Sequence, residues 1–193
     1  MDKIMTRDVA YETLQILIKN PSLVKHHLAC EAAMREIGEY FKQKNSLTNV
    51  DDWAMVGLLH DADYELTHEH PQRHTIELEE RIGKTLKPEV MYAIKAHNWK
   101  HTGTKPKSQM DWAIYTCDEL TGIIIAATLI HPDKKLASVN ADFILNRLKD
   151  KTFAKSVDRQ QISACEKELG ITLLAYVEMV LASMKKIADK LGL

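Results

Sequence analysis

A chain of 193 residues, 45% hydrophobic and 27% charged, is long enough to bury a sizeable core and falls in the size range of one globular domain. Its 26 basic and 27 acidic side chains nearly cancel, which excludes the broad positive field that holds duplex nucleic acid or an anionic membrane, so any phosphate recognition has to be local. The three cysteines, Cys30, Cys117 and Cys165, form no CxxC pair, which argues against a disulfide framework or a thiolate zinc site and favours a reducing compartment.

The N-terminal stretch MDKIMTRDVAYETLQILIKN mixes charges into its apolar positions, and the longest apolar run, near Ile123 to Ile130, falls short of the roughly 20 residues that span a bilayer. The expectation is a soluble, cytoplasmic chain with no membrane partner.

Glycine (7) and proline (5) are sparse, Asn-Gly and Asp-Gly turns are absent, and apolar residues recur three and four apart, so the predicted fold is all-α. Thr6 caps a first helix running towards Asn20, and Asn20-Pro21-Ser22 breaks it and caps the next. From Ser22 to about Gln43, the positions Leu23, His27, Cys30, Met34, Ile37 and Phe41 form one inward stripe, with His26 at its edge. Asp51 is the expected cap of a short helix, DDWAMVGLLHDADY, apolar nearly all round just before His60 and Asp61.

A helix around His74 to Leu86 follows, then one from Pro88 to about Trp99 and a basic loop, KHTGTKPKS. Ser108 caps the helix QMDWAIYTCDELTGIIIAATLI. The tail, from roughly Asn140, carries two or three more amphipathic helices and ends on ITLLAYVEMVLASMKKIADKL, a candidate face for a homodimer. With no linker, repeat or low-complexity stretch, residues 1–193 read as one domain, its motif core at about 22–130 and a helical extension at about 138–193.

Six of the nine histidines, His60, His68, His70, His74, His97 and His101, crowd one central stretch, which invites a search for ligands. Asp61 ends an apolar helix, and Asp118 shares its helix face with Ile114, Thr121 and Ile125. An unpaired carboxylate in either place costs several kcal/mol or shifts its pKa, and one cation resolves both costs. By periodicity alone either His26 or His27 joins them.

LVKHHLACEAAM, LLHDADYE, AIKAHN and IYTCDELTGIIIAA, in that order and spacing, resemble successive motifs of the HD (His-Asp) superfamily of metal-dependent phosphohydrolases, specifically its HDIG-related predicted hydrolases. FAKSVDRQQI and KELGI extend the similarity, which covers about Leu23 to Ile171. The resemblance implies an HD-domain-like multi-helix bundle with His26, His60, Asp61 and Asp118 around a divalent ion (Mn, Fe, Co, Zn, Ni or Mg). The family spacing selects His26, because it puts a small residue, Cys30, four positions on, where His27 would have Glu31.

Where many members read HD followed by Ile-Gly, this chain reads His60-Asp61-Ala62-Asp63, and Asp63 and Glu65 become candidates to protonate a leaving alkoxide. His74 and His97 match positions that hold a second metal or grip phosphate in relatives with extra histidines. Lys95 and Lys100, with Lys105 and Lys107 nearby, are candidates to neutralise a substrate phosphate. The implied function is hydrolysis of a phosphate ester of a small metabolite or nucleotide by a metal-activated water, with Asp61 in the catalytic set. The alternatives are a di-iron oxygenase, which needs the six ligands that His74 and His97 complete, and a catalytically silent metal- or nucleotide-binding module.

Overall fold

A computed structural model describes residues 4–193. Thr6 Oγ1 accepts from Val9 N and opens α1 (Arg7–Leu17), which stops short of Asn20. Asn20 then caps α2 (Pro21–Lys44), whose proline fits the first turn because no intrahelical partner is lost there. His27, Cys30, Met34, Ile37 and Phe41 are buried along α2, so the stripe faces inward as expected.

α3 (Val50–Leu59) is capped by Asn49, not by the expected Asp51. Asn49 Oδ1 accepts from Asp51 N at 3.1 Å, while the Asp51 carboxylate pairs with Arg35. After the short α4 (Tyr64–Thr67), the helix expected from His74 to Leu86 is α5 (Ile76–Ile82) followed by a 3-10 turn, Gly83–Thr85. His74 stays outside because Thr75 adopts a left-handed φ of 72°, which interrupts right-handed helix.

α6 (Pro88–His97) leads to α7 (Trp99–Thr102), a helical turn made of the first residues of the expected basic loop and ended by Gly103 at φ 73°. α8 (Gln109–Ile130) starts at Ser108 as expected, in a capping box with Asp111. The tail holds four helices: α9 (Ala141–Lys149), α10 (Arg159–Ala164) continued by a π turn, α11 (Leu173–Lys185) and α12 (Ala188–Leu191). Among the described residues there is no strand, and the chain is an all-α, multi-helix bundle.

α8 is the hub, with α2, α6, α9, α10 and α11 packed around it. Its most apolar 18-residue stretch has a mean hydropathy of 1.5, so α8 is long and apolar enough to cross a membrane although the run Ile123 to Ile130 alone is too short; 61% of that stretch is buried inside the protein. The tail is not a separate layer. α11 lies on α2 and α8, Tyr176 Oη meets Thr116 Oγ1 at 2.7 Å, and one hydrophobic cluster runs from Ala10 to Leu191.

One close approach positions the site. At Gly57 a Cβ would stand 2.4 Å from the Cys30 carbonyl oxygen, so α2 and α3 touch backbone to backbone there. Because His60 follows one turn after Gly57 and His26 precedes Cys30 by one turn, this contact brings the two histidines together.

Candidate metal centre

α2 delivers His26, the end of α3 delivers His60 and Asp61, and the middle of α8 delivers Asp118. His26 Nε2 lies 3.0 Å from Asp118 Oδ1 and 3.2 Å from His60 Nε2, and His60 Nε2 lies 3.5 Å from the same Asp118 oxygen. A second trio sits alongside: Asp61 Oδ1 is 3.0 Å from His74 Nε2 and 3.1 Å from His97 Nε2, and these two nitrogens are 3.1 Å apart. Asp61 joins the trios, since its Oδ2 lies 3.7 Å from His60 Nε2. The structure thus brings His26, His60, Asp61, His74, His97 and Asp118 into one cluster.

Hydrogen bonding on the far side of each ring sets what faces the cluster. His60 Nδ1 donates to the Gly57 carbonyl at 2.9 Å, His97 Nδ1 to the Ile94 carbonyl, and His74 Nδ1 to Asp63 Oδ1 at 2.7 Å. Thr121 donates its hydroxyl to the Asp118 carbonyl and so accepts from His26 Nδ1 at 3.4 Å. With the proton on Nδ1 in each neutral ring, four Nε2 lone pairs converge on each other and on two carboxylates. Acceptors at these separations need positive charge between them, as protons or as a metal ion.

The electrostatics express the same demand. Burial opposes charge on His60 and His74, yet Asp61 and its neighbouring carboxylates push both imidazoliums up to about 10. Burial raises Asp61 and Asp118, but the surrounding histidines hold both carboxyls well below the usual carboxylate range. This donor set of imidazoles and carboxylates suits a divalent first-row ion, and Asp61 can offer one oxygen to each of two.

Asp63 has a different place from the expected one. It is fully buried, with Oδ1 on His74 and Oδ2 accepting from Thr75 N at 2.8 Å and Leu78 N at 3.0 Å, so it anchors the ring of His74 and caps α5 from a distance. Glu65 is turned away: its carboxylate accepts from Lys19 N and Asn20 N, which hold its pKa low, and it ties down the turn between α1 and α2. Neither carboxylate lines the cleft over Asp61, His74 and His97, where the expected proton donor would have to stand. Lys95 also lies elsewhere, bound to Glu79 at 2.7 Å on another groove.

His27 points into the core as expected for a packed residue. Its Nδ1 bonds the Leu58 carbonyl at 2.8 Å, and burial beside His60 pulls its pKa down to about 3. Lys100 does reach the mouth of the cleft, where it pairs with Asp158 at 2.7 Å. The cleft, about 280 Å³, opens over Asp61, His74, His97 and Asp118.

Several further residues line the cleft wall without being site candidates on sequence grounds: Tyr64, Asn98, His101, Tyr115, Glu119, Asp158 and Gln161. Asp158 and Gln161 belong to the VDRQQ segment already noted, and Gln161 Nε2 donates to the Tyr115 carbonyl at 2.7 Å, docking α10 on α8. Glu119 adjoins Asp118 in the motif, and burial followed by the charge of Asp118 pushes its carboxyl up to about 7.

Fold and geometry define the chain as an all-α bundle with a His- and Asp-lined candidate metal centre. No family model, curated protein or solved structure matches the chain.

Proposed function

We propose that this chain is an HD-type phosphohydrolase with a two-metal centre, acting on a small phosphate ester. The observation that carries the proposal is Asp61, whose two oxygens face separate groups of imidazoles, one on His60 and the other on His74 and His97. Divalent ions bound there would supply Lewis acidity and a water acidic enough to serve as nucleophile near neutral pH.

The chain's own residues do the rest. His26, His60 and Asp118 would hold one ion and His74 and His97 the other, with Asp61 placed between the two groups. Asp63 keeps the Nε2 of His74 bare and aimed by occupying its Nδ1–H. Lys100 stands at the mouth, where a substrate phosphate competes with Asp158 for its ammonium. The cleft volume suits a small ester and not a polymer threaded through the protein.

The six-residue set also favours a second reading, di-iron oxidation of a small substrate, because that chemistry needs all six ligands. Metal analysis of the purified chain, followed by assays for phosphate release and dioxygen uptake, separates the two. Two ions per chain with phosphate release from phosphate monoesters is the expected result. Dioxygen consumption by the iron form without phosphate release replaces the first reading with the second, and a chain that retains no divalent metal ends both.

A further inference from the structure

Cys30 counts in the sequence as a small residue required by the spacing from His26, and three cysteines without a CxxC pair argue against a thiolate site. Its surroundings in the fold differ from those of an ordinary buried cysteine, which packs as a small hydrophobe. Cys30 Sγ stands 3.8 Å from His26 Nε2 and 3.3 Å from Thr121 Oγ1. One donor atom from each of His26, Cys30, His60 and Asp118 lies within 4.8 Å of the other three.

The separations within this foursome lie in the range that one bound ion would draw together. Bond lengths of about 2.0–2.1 Å to nitrogen, about 2.0–2.2 Å to oxygen and about 2.3 Å to sulfur give tetrahedral edges of about 3.3 Å between nitrogens and about 3.5 Å from nitrogen to sulfur. Four of the six edges stand near these lengths, at 3.2 Å for the nitrogen pair, 3.0 and 3.5 Å for nitrogen to oxygen, and 3.8 Å for nitrogen to sulfur, and the two edges from sulfur to His60 and to Asp118 are within 4.8 Å. His60 and Cys30 are fully buried, while Asp118 lines the cleft, so Cys30 occupies the inner side of this corner and solvent reaches it from the side of Asp118.

We infer that Cys30 is a thiolate ligand of the ion held by His26, His60 and Asp118, and that it makes this half of the centre select a softer ion such as zinc, cobalt or ferrous iron over magnesium or manganese. The inference rests on the reading of the cluster as a metal centre. On coordination the thiol proton passes to solvent and the sulfur lone pair goes to the metal, as happens at any thiol bound to such a cation. The second trio, Asp61, His74 and His97, has no sulfur, so the two halves differ in metal preference.

The test is the absorption spectrum of the full chain loaded with cobalt(II), with bound cobalt counted by elemental analysis. The wild type and Cys117→Ser are expected to show the near-ultraviolet thiolate-to-cobalt charge-transfer band. Cys30→Ser is expected to lose it and to bind zinc more weakly by at least the about 10- to 100-fold that partners outside the ligand shell already carry. Cobalt bound by the wild type without that band, or a band unchanged in Cys30→Ser, overturns the thiolate while leaving the centre standing. A wild type that binds no cobalt overturns the centre as well. Absence of the band from the wild type overturns the thiolate even where Cys30→Ser fails to fold, and retention of the band in Cys117→Ser excludes that thiol as its source.

Discussion

Asp61 and Asp63 are two residues apart, yet one turns to the cleft and the other is sealed behind it. The difference lies in the groups that meet them: imidazole Nε2 atoms, which leave room for a shared cation, for Asp61, and two backbone N–H groups and one imidazole N–H for Asp63. Asp63→Asn should therefore cost the second position about 10- to 100-fold in metal affinity while the first keeps its ion, so elemental analysis at limiting metal should fall from two ions to one. Loss of both ions would place Asp63 in the support of the whole cluster. Neighbouring His26 and His27 divide in the same way. His26→Ala and Asp118→Ala should each empty the first position, whereas His27→Ala should keep metal and lose about 1–3 kcal/mol through its buried contacts, as read by denaturant unfolding. Metal loss in His27→Ala with retention in His26→Ala would show that the ligand is the other histidine.

Among the helices, the contact of α2 with α3 governs the geometry of the first position. Since a Cβ at Gly57 meets the Cys30 carbonyl at 2.4 Å, Gly57→Ala must push the two helices apart. Overpacking of this kind costs about 1–3 kcal/mol. At about 2–4 °C per kcal/mol for a chain of this size, the melting temperature should drop by roughly 2–12 °C. The same displacement moves His26 from His60, so metal affinity should fall together with stability. A variant as stable as the wild type and fully loaded would mean that the contact relaxes elsewhere.

At the scale of the whole molecule, the candidate ligands come from α2, α3, the turn before α5, α6 and α8, so two ions bound among them would together tie five segments of the chain. Metal bound to the native state alone stabilises it by about 2.7 kcal/mol at a hundredfold excess over Kd. Chelation should therefore lower the melting temperature by roughly 5–11 °C at that loading. An unchanged midpoint after complete metal removal would contradict an ion that bridges these helices. All three cysteines are buried, and burial pushes the Cys165 thiol up to about 12. Native protein should thus react slowly with a thiol reagent, and three equivalents should appear only on denaturation; rapid reaction of any one would show an opening of the core.

The all-α class, the starts of α1, α2 and α8 and the inward stripe of α2 were legible in the sequence, because periodicity and capping are local and each is set by residues within a few positions. The set His26, His60, Asp61 and Asp118 was legible too, as spaced motifs, with His74 and His97 as candidates beside them. What the sequence by itself could not decide is which side chains share one point in space. Asp63 and Glu65 look alike beside the HD pair, and only the left-handed turn at Thr75 and the backbone N–H groups of Asn20 and Lys19 take them in different directions. Lys95 and Lys100, five residues apart, end in separate grooves for the same reason, each following the acid that the fold sets opposite it, Glu79 for one and Asp158 for the other. Cys30 is the sharpest case: one helical turn already sets its sulfur beside His26, and it is the packing of α2 on α3 and α8 that adds Thr121, His60 and Asp118 around it. Local rules decide which face a residue presents; the donors it meets there depend on helices far away in the chain, and so belong to the tertiary structure alone.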